Sequence, residues 1–385
     1  MPSKVLLLHY LAVAMFTLGY GSFQSFVPVF AVNLGASYGD LGFIGAVTAI
    51  PYIIMPIIIG FIADRLNRVN LYLVSVLFNV ATTAQLYFAG SVIDVLVARA
   101  LGGVAYAVYW PVVEVIISDL TEPHERMKAF GEYSVSFALG FGLGPFIGGV
   151  MSDMFGVRNI FIFSSVMMIL SLVWAAFTLK RRYSGAIGEK RGFKLSMAPF
   201  RQLAPIYIIS ILGSTVFSTG IAILPGYLKN VGISAYEIGG VYALLGFYRM
   251  LAYHQAYRFG RLGELRALAG SSLLMTVSLL AISIGSGAAS FAVIMIPFGI
   301  STALFFPLTL APASRPFPKE KQGLAIGLYE SISGVGWVIG PAMTGILSDA
   351  YSPGFAFVIL AAVSILTIPV LLIHRTGKLR QPSSG

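Results

Sequence analysis

Of the chain's 385 residues, 57% are hydrophobic and 10% charged, and the mean hydropathy is +0.86; soluble domains run at roughly 45–50% apolar and about 25% charged. This composition predicts a membrane protein, and the absence of cysteine excludes disulfides, thiolate metal sites and thiol redox chemistry. The net charge of +10 would suit nucleic acid in a soluble chain, but the placement of the charges argues for membrane topology instead.

In chain order, Val5 to Val32 is apolar for longer than the ~7–15 residues of a signal-peptide core. It is predicted to be a spanning helix and not a cleaved leader. A span needs about 20 apolar residues, and eleven more are expected near 39–63, 70–89, 93–118, 127–152, 157–179, 203–229, 237–257, 264–284, 288–312, 322–348 and 353–373. The joins are short and carry Gly, Pro or Asp, which stop helices. The exception is the basic stretch 180–201, read as a linker between two six-helix halves, 1–179 and 202–385. The expected fold is all-α, with twelve transmembrane helices and no extramembrane domain.

Nearly all Lys and Arg fall in joins on the N-terminal side, including Lys4, Arg65, Arg68, Arg126, Lys128, the linker and Arg375 to Arg380. Arg158 and Lys229 fall on the other side, and Arg99 and Arg249 within spans. By the positive-inside rule both termini are expected in the cytoplasm. The excess charge is then topological, nucleic acid is not expected as a partner, and membrane lipids are, the linker attracting their phosphates.

The chain also repeats itself. Gly140, Gly144, Pro145, Gly149, Ser152 and Asp153 recur 196 residues later as Gly336, Gly340, Pro341, Gly345, Ser348 and Asp349. Gly103 matches Gly299 and Pro111 matches Pro307 at the same offset; Pro28, Gly35 and Asp40 match Pro225, Gly232 and Glu237 at 197. Halves of six helices share one orientation, so they are related by an axis along the membrane normal. Such repeats place a substrate site at their interface near mid-membrane and expose it alternately to each side.

These residues resemble the major facilitator superfamily. Gly60, Asp64, Arg65 and Arg68 resemble its loop signature between the second and third spans, with Asn67 standing where a glycine is usual. Leu96 to Ala107, with Arg99 and Gly103, resembles the fourth-span signature. Gly140, Gly144, Pro145, Gly148 and Gly149 fit the fifth-span signature, which in the family accompanies exporters that exchange substrate for protons. The resemblance covers the whole chain. It implies that Asp64 caps the start of the eleventh span, that Arg68 pairs with Asp119 as a latch of one conformational state, and that Arg99 takes part in proton transfer. Without the family, the glycines still make a flat face for close helix packing and Pro145 permits a bend.

Ionisable residues within the bilayer cost roughly 2.5–3.5 kcal/mol or more each and persist for function or pairing. Arg249 and Glu330 both lie ~12–14 Å from the inner ends of their spans, at one level, and their repeat partners at 196 are the uncharged Ile53 and Ser134. Glu330 is expected to carry the proton with Arg249 tuning it, against the alternatives of a static pair or an anion-binding Arg249. Glu114 and Glu132, on neighbouring spans, form a second candidate set. Tyr20, Gln24, Tyr106, Trp110, Phe305 and Phe306 are expected to line the substrate cavity, because the resemblance assigns its walls to spans 1, 4, 7 and 10.

No nucleotide-binding loop, metal cluster or nucleophile set stands in the sequence, so neither enzyme activity, a metal nor a cofactor is expected. The reading is a monomeric proton-coupled exporter of small hydrophobic or amphipathic compounds in the plasma membrane. Two alternatives stay open: a symporter or exchanger of an organic anion, and a non-transporting receptor or lipid-handling protein.

Overall fold

The computed structural model describes residues 4–63, 66–122, 125–182, 198–261, 263–317 and 322–379, and every regular element among them is an α-helix. The first span is α1 (Lys4–Gln24) continued by α2 (Val27–Asn33). Spans two to six are α3 (Tyr38–Ala63), α4 (Arg68–Phe88), α5 (Val92–Asp119), α6 (Arg126–Phe155) and α7 (Arg158–Arg182). The seventh is α8 (Ala198–Ala222) with α9 (Leu224–Asn230), followed by α10 (Ala235–Arg261), α11 (Glu264–Ile284), α12 (Gly287–Ser314) and α13 (Gln322–Ala350). The last is α14 (Pro353–Ile365) with α15 (Thr367–Leu379). Eleven spans among the described residues are long and apolar enough to cross a membrane. The twelfth, α10, has 27 residues, and Glu237 and Arg249 dilute its apolar character.

The interruptions follow from local chemistry. Pro28 and Pro225 sit in the first turn of α2 and α9, where a missing N–H leaves no helical bond unmade. Both short helices then end at a glycine in the left-handed region, Gly35 at φ +88° and Gly232 at φ +86°, a conformation a side chain would strain. The repeat seen in the sequence is a repeat of helix breaks and caps.

Packing repeats in the same way. In the first half α1 lies against α6 and α7, α5 against α3 and α4, and α4 against α7; in the second, α8 lies against α13 and α12, and α11 against α12 and α14. Gly140 and Gly144 let α6 approach Thr17 and Gly21 of α1, and a Cβ at Gly144 would stand 2.6 Å from the Gly21 carbonyl carbon. Gly336 and Gly340 bring α13 against Thr215 and Ser218 of α8 in the same manner.

Between the halves, α3 runs along α13, α6 along α10, and α2 meets α9. Here the last glycine of each motif acts: Gly149 abuts Ala235 and Gly239, and Gly345 abuts Tyr38 and Gly42. These contacts set the register of α3 against α10 at 197 throughout, so Tyr52, and not Ile53, stands where Arg249 stands in the second half. Both seams are tight at the end that carries 34–37 and 351–352. At that end the Asp349 carboxylate accepts the Tyr38 and Gly39 backbone N–H groups at 2.9 and 2.7 Å, satisfying orphan donors at the N-terminus of α3. Asp349→Ala is expected to weaken this closure by about 1–2 kcal/mol. Spin-label distances between α3 and α13 at this end would show it as a larger open fraction; an unchanged distribution would count against it.

The middle of the basic linker, 183–197, lies outside the described residues, as do Asp64 and Arg65 of the loop signature. Gly60 lies in the last turns of α3.

Candidate transport site

Aromatic side chains from four helices of the first half build one wall. Tyr20 of α1 stacks on Tyr106 of α5 with ring centroids 4.8 Å apart, and Tyr106 meets Tyr52 of α3 at 5.9 Å and Trp110 at 5.6 Å. Behind them Trp110 packs on Phe137 of α6 at 5.2 Å and Phe137 stacks on Phe141 at 4.4 Å. Tyr20 and Trp110 are buried, while Tyr52 and Tyr106 are half-exposed. The glycine-lined α1–α6 contact holds this stack in place.

From the second half α13 brings Tyr329 and Glu330. The Tyr329 hydroxyl shares a 2.6 Å hydrogen bond with Thr309 of α12, and its ring meets the exposed Phe306 at 5.6 Å. Phe305, one residue away, faces the other side of α12 and packs on Gly213 of α8 within the second half. Of the two aromatics picked out on α12, therefore, Phe306 meets Tyr329 of α13 and Phe305 packs against α8.

Glu330 and Glu114 lie within electrostatic reach of each other and of Tyr52, and Glu330 also reaches Tyr106. One carboxyl comes from each half. Neither has an ion-pair partner among the described residues, and neither is closed off from solvent. Glu132 is turned elsewhere, acting on Tyr10 of α1, whose hydroxyl donates to the Ala129 carbonyl at 2.7 Å.

Arg249 departs from the expected pairing. Its guanidinium lies 3.8 Å from the centre of the Phe217 ring and donates to the Tyr253 hydroxyl at 3.0 Å, a cation–π arrangement. Phe217 rests edge-on against Trp337 at 5.3 Å. Arg249 and Glu330 match in depth but sit on α10 and α13, which α8 and α12 hold apart. Depth along a helix does not fix which helices are neighbours.

Arg99 is buried and donates to Gln24 Oε1 at 3.0 Å, with its guanidinium 5.8 Å from the Phe23 ring centre. Gln24 is thus engaged with Arg99. Asp94 is used otherwise, in a capping box with Ser91 at the start of α5.

Arg68 and Asp119 form an ion pair joining the start of α4 to the end of α5, with side chains 8% and 23% exposed. At the repeat positions Glu264 and Arg315 form the same bridge with the charges exchanged, 31% and 61% exposed. The exchanged order complements the helix dipoles of α11 and α12, whereas the Arg68–Asp119 order opposes those of α4 and α5. Arg68→Ala is expected to cost about 2–3 kcal/mol, because it removes a buried guanidinium from a largely buried carboxylate, and Arg315→Ala under about 1 kcal/mol. Thermal unfolding of the two variants in detergent would compare them; equal losses would contradict the assignment.

Among the described residues no three His, Cys, Asp or Glu side chains converge as a metal site requires. Sequence reading missed Tyr52, Phe137, Phe141, Phe217, Tyr253 and Trp337. The 197 register was the available signal for Tyr52, since it places that residue opposite Arg249.

Comparison with known proteins agrees with this architecture. The chain is 28% identical over 367 residues to Multidrug resistance protein 1 of Bacillus subtilis, covering 91% of this chain and 92% of that protein. It is 25% identical over 397 residues to Quinolone resistance protein NorA of Staphylococcus aureus, covering 98% and 99%. Among solved structures it superposes on a peptide transporter POT in complex with sulfate, with a TM-score of 0.81 at 16% identity over 98% of this chain and 94% of that one. A bacterial homolog of the human lysosomal transporter Spinster, in an inward-facing and unoccupied conformation, gives 0.74 at 17% identity over 97% and 95%. The family profile described as Major Facilitator Superfamily matches residues 10–296 and 256–385. With its repeated halves, helical spans and paired glycine seams, this multi-pass membrane chain belongs to the major facilitator superfamily of transporters.

Proposed function

We propose that the protein is a proton-coupled exporter of small hydrophobic or amphipathic cations. It works as a monomer by alternating access between the halves 1–179 and 202–385, with both termini in the cytoplasm of a plasma-membrane protein. The observation that carries this reading is that Glu330 and Glu114, one from each half, lie within electrostatic reach of each other and of Tyr52, beside Tyr106 and with no ion-pair partner among the described residues. An aromatic space with a carboxyl in it favours a cation, and a carboxyl without a basic partner holds either a proton or that cation. The named relatives, a multidrug and a quinolone resistance protein, support export of such compounds. With the termini inside, the tight seams at Asp349 and Gly149 close the outer side.

The test is purified protein in liposomes under an imposed proton gradient, with a panel of lipophilic cations and organic anions. Gradient-driven movement of cations supports the reading. Movement of anions lost in Arg249→Ala would replace it with an anion carrier, a reading favoured by the absence of a carboxylate partner on Arg249 among the described residues. A panel that crosses no faster than in empty vesicles would leave a receptor or lipid-handling role.

A further inference from the structure

A groove lies away from this site, on the outer side of the α6–α10 seam. It encloses about 710 Å³. Its floor is Gly142 of α6 with Gly240 and Gly246 of α10, its sides are Phe146, Phe247 and the alanines Ala288, Ala289 and Ala292 of α12, and Glu237 stands at its rim. Gly240 and Arg249 are nine residues apart, two and a half turns at 3.6 residues per turn, so the groove and Arg249 occupy opposite faces of α10.

The repeat shows that this groove is not a by-product of the scaffold. In the other seam the matching positions are Val338 for Gly142, Phe43 for Gly240, Ala49 for Gly246, and Val92, Ile93 and Leu96 for the three alanines. At these six positions the groove carries the smaller side chain, while Phe146 and Phe247, which wall it, are larger than their counterparts Ala342 and Ile50. No neighbour lies within 4 Å of a Cβ built on Gly142 or Gly240, so close helix approach does not explain those two glycines.

Charge identifies the occupant. Glu237 is exposed and caps α10, its Oε2 accepting the Ser234 N–H at 2.9 Å and hydroxyl at 2.8 Å. Its Oε1 has no protein partner among the described residues. Glu237 to Met250 spans ~20 Å along α10, enough for an acyl chain in a leaflet of ~15 Å hydrocarbon depth. A carboxylate at the headgroup end of an apolar furrow matches a phospholipid whose head carries a hydrogen-bonding ammonium group, a charge-assisted contact.

We propose that the groove between α6, α10 and α12 seats one acyl chain of an ethanolamine phospholipid, whose ammonium group binds Glu237. The chain rests on α6 of one half and on α10 and α12 of the other. It therefore bridges the seam and favours the state in which that seam is shut.

The test uses the full chain in phosphatidylglycerol nanodiscs doped with a phosphatidylethanolamine that carries a photoreactive diazirine in one acyl chain. Expected is labelling of 237–250 and 288–292 above that of the matching surface of α3 and α5, and displacement by unlabelled phosphatidylethanolamine. Glu237→Gln, which keeps the cap to Ser234, should lower the labelling by about fivefold. Ala289→Ile with Ala292→Leu, installing the first half's residues, should abolish it, and Gly240→Phe is a second filling variant at a position with open space. The proposal fails if both faces label equally or if a diazirine phosphatidylglycerol labels the groove as well. It also fails if Glu237→Gln and the filling variants leave the labelling unchanged, or if a transported cation displaces the lipid.

Discussion

Glu330→Gln is expected to abolish proton-driven transport, lowering gradient-driven movement about a hundredfold or more, while substrate-for-substrate exchange across the same liposomes persists. The amide fills the same volume at the same place on α13 but neither gives up nor takes up a proton, so the conformational cycle loses its driving ion and keeps its cargo space. Glu114→Gln, across the halves, should lower transport by about tenfold, because it removes the second carboxyl from the same space and leaves the first. Parallel measurement of driven movement and of exchange separates a coupling role from a binding role. If Glu330→Gln is driven as well as wild type, Glu330 is a structural acid and the proposed coupling is wrong.

The largest effect on stability should come from Gly144→Val. A Cβ at Gly144 already falls 2.6 Å from the Gly21 carbonyl carbon and 2.7 Å from the Ser22 nitrogen. Both are backbone atoms that cannot swing aside, so α1 and α6 must separate. A cost of about 3 kcal/mol is expected, and with it loss of the Tyr20–Tyr106 stack that this packing positions. Gly142→Ala, half a turn away with open space around it, is the control and should change stability by less than about 0.5 kcal/mol. Thermal unfolding in detergent reads both. Similar behaviour of the two variants would show that the small face of α6 serves some other purpose than close packing.

How much of this was legible beforehand divides along a physical line. Features set along the chain were readable: the spans from apolar length and the glycines that let helices touch, with the Arg68–Asp119 pair supplied by the family resemblance; the helix breaks at Pro28 and Pro225 were not, since apolar length alone reads each span as one helix. Features set by rotation and neighbourhood were not. Counting residues from helix ends put Arg249 and Glu330 at one depth and suggested a pair, but depth leaves undetermined which helix stands beside which. The structure gives Glu330 the company of Glu114 and Tyr52, and gives Arg249 the ring of Phe217. Phe305 and Phe306 differ by a ~100° rotation about α12, enough to send one ring into the second half's interior against Gly213 and to leave the other exposed beside Tyr329.

One contact has its own consequence for motion. Asp349 ties α13 to the first amides of α3, while its repeat partner Asp153, exposed at the end of α6, makes no such bond to the start of α10. The two seams are bound unequally, as a book is bound along its spine. Separation of the halves at this end then begins along the fore-edge, between α6 and α10, and swings about α3 and α13. Under the proposed export, a solute leaving by that opening would meet the hydrocarbon of the bilayer before it meets water.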